Sequence, residues 1–267
     1  VNAVQRFKQK LKRGESVLGL FVSLESPTIT EIAVHLGLDW ICIDTEHGHL
    51  DFNEVLEHLR ATARSSTVAL VRIQEIEQGL IKRVLDLGAD GIVLPQIRTA
   101  KDVERAVYFA KYPPRGVRGI GGERATLWGK DLERTKFANQ NTLIVPLIET
   151  VQAGRDIQAI MHIPEVDAFF LGPADYSASA GYLGKWEAPE VSKKLLQIKD
   201  RIRKGGFPCG IVAIDSQNGI LRIEQGFQMI GLGTDCGLFI RSLTETMSGL
   251  GKKLEPSTWT AKSTKLI

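Results

Sequence analysis

Short apolar runs recur along the whole chain: Val17–Val22, Trp40–Ile43, Val68–Val71, Gly91–Leu94, Leu143–Ile148, Ala168–Leu171, Cys209–Ile214 and Gln228–Leu232. Most are continuous rather than alternating, as parallel strands buried on both faces are. Helical patterns separate them. Ser26-Pro27 reads as an N-cap with a first-turn proline, and Ile29, Ile32, Ala33 and Leu36 form one face that stops at Gly37. Asp51 with Glu54 reads as a capping pair opening a helix with Val55, Leu56 and Leu59 inside. Thr99 with Asp102 opens another. Val191, Leu195, Ile198 and Ile202 make a stripe that ends at Gly205-Gly206.

Strand–helix alternation repeated eight times over about 250 residues predicts an α/β fold, a (β/α)8 barrel. A doubly wound open sheet is the alternative, but no glycine fingerprint follows the first strand. The pattern gives one domain over residues 1–267. The first fourteen residues read as a helix closing the barrel floor. Residues 251–267, with Pro256 and Trp259, read as a C-terminal tail. Two connections are long. Gln96 to Asn141 holds a helix and the Gly-rich stretch Gly116–Gly122, and Gly172 to Pro208 also exceeds a single helix. Both follow strands, so both are expected on the barrel's active face.

The balance of 34 Lys and Arg against 31 Asp and Glu gives a net charge of only +3, without the clustered cations and aromatics of a nucleic-acid surface. Cys42, Cys209 and Cys236 lie far apart with no CxxC spacing, and Cys42 and Cys209 are expected to be buried free thiols. An odd cysteine count without a signal peptide fits a reducing, cytoplasmic location. No apolar run approaches the ~18 residues of a membrane span.

In a barrel the polar groups at the C-terminal ends of strands are the candidates for function. Here those ends carry Asp44-Thr45-Glu46-His47, Arg72, Glu149, Gly172-Pro173-Ala174-Asp175 and Thr234-Asp235. Glu149 and Asp175 come from adjacent strands. A pair of carboxylates suits a hard divalent cation that keeps several waters, although each residue could also be a helix cap or a rim charge. His47 could be a base, a ligand or a loop residue; His49 and His35 have weaker claims. Arg72, at the end of a buried strand, needs a carboxylate partner or an anionic substrate. Asp86 ends a helix, where the dipole disfavours it, so a histidine or arginine partner is expected. No lysine ends any of the eight strands, and a Schiff-base aldolase would need one there.

Five segments bear a resemblance. They are Trp40-Ile-Cys-Ile-Asp44-Thr-Glu46-His47, Lys82-Arg-Val-Leu-Asp86-Leu-Gly-Ala89, Tyr112-Pro-Pro-Arg-Gly116, Arg124-Ala-Thr-Leu-Trp128-Gly and Leu171-Gly-Pro-Ala-Asp175-Tyr-Ser-Ala-Ser179. In this order they resemble the motifs of the HpcH/HpaI aldolase family, which are metal-dependent pyruvate aldolases acting on 4-hydroxy-2-oxo acids. The resemblance runs from about residue 15 to about residue 245. It implies His47 as the catalytic base, Asp86 as the acid that raises its basicity, and Arg72 as the group that stabilises the transition state. It implies Glu149 and Asp175 as ligands of a divalent metal (Mg2+, Mn2+ or Co2+). Ala174 matches a backbone contact to the substrate, and Asp44 an acid near the metal-bound water. The implied substrates are pyruvate or another 2-oxo acid and an aldehyde. The implied assembly is a homo-oligomer, a hexamer with a C-terminal helix exchanged between neighbours, for which Leu238–Leu250 is suited. One position departs: the family has a glutamine two residues before its glutamate ligand, and this chain has Leu147. A CoA-ester lyase on the same barrel and a non-catalytic 2-oxo-acid-binding protein are the alternative readings.

Overall fold

In a computed structural model, which describes residues 2–252, eight parallel strands close into a barrel in sequence order. They are β1 Val17–Val22, β2 Trp40–Asp44, β3 Val68–Arg72, β4 Gly91–Leu94, β5 Leu143–Ile148, β6 Phe169–Leu171, β7 Cys209–Val212 and β8 Met229–Thr234. Every apolar run of the sequence is therefore a strand of a (β/α)8 barrel. The helices around it are α1 Ala3–Lys12, α2 Pro27–His35, α3 Phe52–Ala61, α4 Gln78–Asp86, α5 Ala100–Ala110, α6 Thr135–Asn141, α7 Val151–Met161, α8 Pro173–Ser179, α9 Pro189–Lys204, α10 Ser216–Glu224 and α11 Asp235–Gly249. The part of the C-terminal tail from residue 253 on, including Pro256 and Trp259, lies outside the described residues.

Alternation along the strands divides the apolar side chains into two cores. One lies between sheet and helices and takes Ile41, Ile43, Ala69, Val71, Ile144 and Ile148. The other fills the barrel with Trp40, Cys42, Val68, Leu70, Val145, Leu147 and Phe170. Phe21, Trp40 and Phe170 pack edge to face there, with ring centroids 5.6–5.9 Å apart. From α1, Val4, Phe7 and Leu11 join this inner core, so the first helix does close the floor. The same alternation decides where the next residue of each strand points. Trp40 and Cys42 face inward, hence Asp44 does; Val68 and Leu70 do, hence Arg72; Val145 and Leu147 do, hence Glu149.

The helix reading holds in part. Asp51 and Glu54 form the reciprocal capping box of α3, and Val191, Leu195, Ile198 and Ile202 are all buried along α9. The α2 face is different. Thr30 and Ala33 are its buried residues, whereas Ile32 and Leu36 are exposed. Thr30 takes the inward place because its hydroxyl meets the buried His58 ring of α3 at 2.7 Å. Cys42 and Cys209 are buried free thiols, as the sequence suggests, and burial pushes both up.

The Gly-rich connection is also placed differently from expectation. After β4 the chain first descends through α5, so residues 111–142 lie on the floor, not on the active face. Lys8 of α1 donates to Gln140 O at 2.9 Å, and Arg124 donates to Leu87 O at 3.0 Å, just beyond the end of α4. The connection from Gly172 behaves as expected, because α8 starts directly at the end of β6. Among the described residues no helix is long and apolar enough to cross a membrane.

Candidate active site

Arg72 is the centre of the rim. Its side chain is 13% exposed, and its guanidinium forks onto Asp44, with Nε 2.9 Å from Oδ1 and Nη2 2.5 Å from Oδ2. Nη1 stands 3.0 Å from Glu46 Oε2. Burial works against this charge, but the hydrogen bond to Asp44 and the neighbouring negative charges outweigh it and hold Arg72 above its ordinary range. Asp44 Oδ1 also accepts from the backbone N–H groups of Glu46 at 3.1 Å and His47 at 3.3 Å. Asp44 is thus fully engaged, fixing both the arginine and the loop that carries His47. Burial pushes the Glu46 carboxyl up, while Arg72 pulls it down.

Glu149 stands across the mouth. One carboxylate oxygen accepts from the Gln96 backbone N–H at 2.6 Å; the other is buried with no hydrogen-bond partner. Burial pushes its carboxyl up to about 8, opposed by the Gln96 N–H and reinforced by the negative charges of Glu46 and Asp175. Gly172 makes room for it. A Cβ at that position would sit 2.9 Å from Glu149 Oε2 and 2.8 Å from its Cβ. Asp175 follows on the first turn of α8. Glu149 and Asp175 open onto a cavity of about 380 Å³, walled also by Gln96, Arg98, Thr150 and Ser179.

An unpartnered buried carboxylate oxygen beside a second carboxylate is a donor set for a hard cation that completes its shell with water. The residues present fit a divalent metal in that sense. Among the described residues no group of three or more His, Cys, Asp or Glu is arranged as a metal cage, so the protein offers a pair.

The other residues singled out by sequence fall in three places. His47 is exposed on the loop after β2, held by its backbone to Asp44. His49 stands 3.2 Å from Glu25, and His35 is exposed on α2. Ala174 is exposed beside Asp175, and Leu147 is buried two residues before Glu149, on the same inward face. Asp86 is elsewhere. It ends α4, just before the chain enters β4 from below, and there pairs with Arg118 at 2.8 Å. The arginine partner expected for a carboxylate at a helix end is present. A contact between Asp86 and His47 is not made within one chain, because the two lie at opposite ends of the barrel.

Comparison with known proteins decides the family. The sequence matches the HpcH/HpaI aldolase/citrate lyase family over residues 17–242. The chain belongs to the HpcH/HpaI aldolase/citrate lyase family. A hydroxypyruvate/pyruvate aldolase of Pseudomonas aeruginosa is 34% identical over 244 residues, covering 91% of each chain. A 5-keto-4-deoxy-D-glucarate aldolase of Citrobacter koseri is 33% identical over 93% of this chain and 96% of its own. A crystal structure of a HpcH/HpaI aldolase/citrate lyase family protein from Burkholderia cenocepacia superposes with a TM-score of 0.88. Its identity is 31%, and the match covers 92% of this chain and 99% of that one. As an HpcH/HpaI protein the chain brings Asp44, Arg72, Glu149 and Asp175 to one rim. Two neighbours were given no role from sequence, Glu46 and Gln96. Glu46 was visible as a charged residue beside His47; Gln96 contributes a backbone N–H, which no residue type announces.

Proposed function

We propose that this family member is a divalent-metal-dependent aldolase that reversibly cleaves a 4-hydroxy-2-oxo acid to pyruvate and an aldehyde. The observation that carries this reading is the unpartnered Glu149 oxygen beside Asp175, across from a doubly anchored arginine, with no lysine at the end of any of the eight strands. The fully buried Lys111 is no substitute, since it lies at the floor and donates to Asn139 O and Thr142 O. The names of the two relatives, a hydroxypyruvate/pyruvate aldolase and a 5-keto-4-deoxy-D-glucarate aldolase, support 2-oxo-acid chemistry.

Glu149 and Asp175 would hold the cation. When bound, it supplies Lewis acidity toward the 2-oxo acid. Arg72 stabilises the negative charge that develops on the pyruvyl oxygen as C3–C4 breaks, and Asp44 and Glu46 keep it from reorganising at that moment. His47 takes the C4 hydroxyl proton. Ala174 offers its backbone N–H to the substrate, and Leu147 gives an apolar wall. Asp86 reaches a His47 only from the floor of another copy, which fits a homo-oligomer of hexameric type. The exposed Leu238, Phe239, Ile240 and Leu243 of α11 support such association. The test is a panel of 4-hydroxy-2-oxo acids coupled to pyruvate detection. Release from at least one of them is expected, and silence across the panel would refute the reaction.

Two substitutions probe the assignments. His47→Ala is expected to lower kcat by roughly 10²–10⁴-fold, the usual contribution of a general base. Pyruvate affinity should be unchanged, and an unchanged kcat would make His47 a bystander. Leu147→Gln would add a neutral hydrogen bond, which contributes roughly 0.5–1.5 kcal/mol, so KM for pyruvate should fall at most about tenfold. Tolerance of 2-oxobutyrate should fall as the wall becomes polar. Identical KM values for both acids in both variants would show that Leu147 does not touch substrate.

A further inference from the structure

A second cavity lies outside the barrel mouth, between α7, α8 and α9. It encloses about 520 Å³, within the range of small-molecule sites. Arg155 enters it from α7, and Lys194 and Arg201 from α9. Glu190 is the single acid on its wall. Among the described residues, none of the three cations is in an ion pair, although Arg203 and Arg222 nearby each find a side-chain partner.

The arrangement follows from sequence spacing. Residues 190, 194, 197 and 201 are four, three and four apart, so they share one face of α9. Gly154 lets that helix close on α7, since a Cβ there would lie 2.7 Å from Ile198 Cδ1 and 3.3 Å from Tyr176 Cε2. The result is a concavity with apolar and aromatic walls and a surplus of two positive charges. Arg155, itself exposed, stands near the buried Tyr176: burial pushes that hydroxyl up, and the arginine's charge pulls it back. All three cations are exposed along the groove, so an anion that enters it meets three positive side chains together. Guanidinium groups add paired N–H donors that match carboxylate and phosphate oxygens.

We propose that the cleft between α7, α8 and α9 binds a small polyanion carrying two or more carboxylate or phosphate groups. The site is separate from the rim cavity that Glu149 and Asp175 wall. Ser179 stands on the divide and lines both cavities. The proposal does not depend on the aldolase reading.

Calorimetric titration of the full chain, after removal of both metal and chelator, tests it. Two probes distinguish the sources of charge: inorganic pyrophosphate, and tricarballylate, which has no oxo or hydroxyl group to chelate with at the rim. At least one should bind with a Kd below about 1 mM at about 0.1 M salt. Arg155→Gln should weaken it about tenfold, and Arg155→Gln with Arg201→Gln should abolish it. Lys193→Gln removes the same charge from α9 outside the cleft and should leave Kd within about twofold. Absence of binding by both probes, an unchanged Kd in the double variant, or equal weakening by Lys193→Gln would overturn the proposal.

Discussion

Glu149→Gln is expected to fold normally and to lose about 10³-fold in pyruvate-forming activity, the upper end of the scale on which charge-stabilising groups act in preorganised sites. The amide keeps an acceptor for the Gln96 N–H, which the carboxylate holds at 2.6 Å. It cannot supply the anionic oxygen that is buried without a partner. Stability moves the other way. Burial raises the metal-free carboxyl from 4.5 to about 8, so its charged form costs the folded state more and more as pH rises through that window. In chelator at pH 8 the Gln variant should therefore melt no lower than the parent. Paired measurement of Tm and of pyruvate release checks both. A variant that melts many degrees lower would show that Glu149 is a structural partner, and one with parental activity would remove it from the site.

Arg72→Lys should lower kcat/KM by about 10²–10³-fold, as loss of a fixed charge at a developing oxyanion does. The fork onto Asp44 and the contact with Glu46 occupy three nitrogens of one rigid plane. Lysine is a single flexible point charge and cannot hold both carboxylates while facing the substrate. It does keep a positive charge between them, so the fold should survive. Arg72→Ala is the contrasting case. It strands two acids at 5% and 9% side-chain exposure, and breaking such a buried pair costs on the order of 3–5 kcal/mol. Steady-state kinetics of the Lys variant, with circular dichroism of both, separates charge geometry from folding. Parental kcat/KM in the Lys variant would contradict the role given to the guanidinium.

The barrel was legible because buried parallel strands leave unbroken apolar runs. The inward set Asp44, Arg72 and Glu149 was legible as well, since each continues the two-residue alternation of its strand. Residues 111–142 were misplaced for a topological reason. A long connection after a strand lies on the rim only until its helix has descended, and α5 descends before the Gly-rich stretch begins. The α2 face was misjudged because Ile32 and Leu36 obey helical spacing, while Thr30 is drawn inward by the His58 ring. Asp86 shows a further limit: a carboxylate at a helix end asks for a cationic partner without saying which, and it finds Arg118 at the floor rather than His47. The cation-lined cleft left no mark as a basic cluster, because Arg155 and Arg201 stand far apart in sequence and meet only when α9 packs on α7.

The rate of pyruvate release by metal-stripped protein, followed as Mn2+ is added back, tests the central claim most directly. Activity near zero without the ion, rising to saturation with it in the parent and staying flat in Glu149→Gln, is the result predicted here. Pyruvate release at full rate in excess chelator would contradict it.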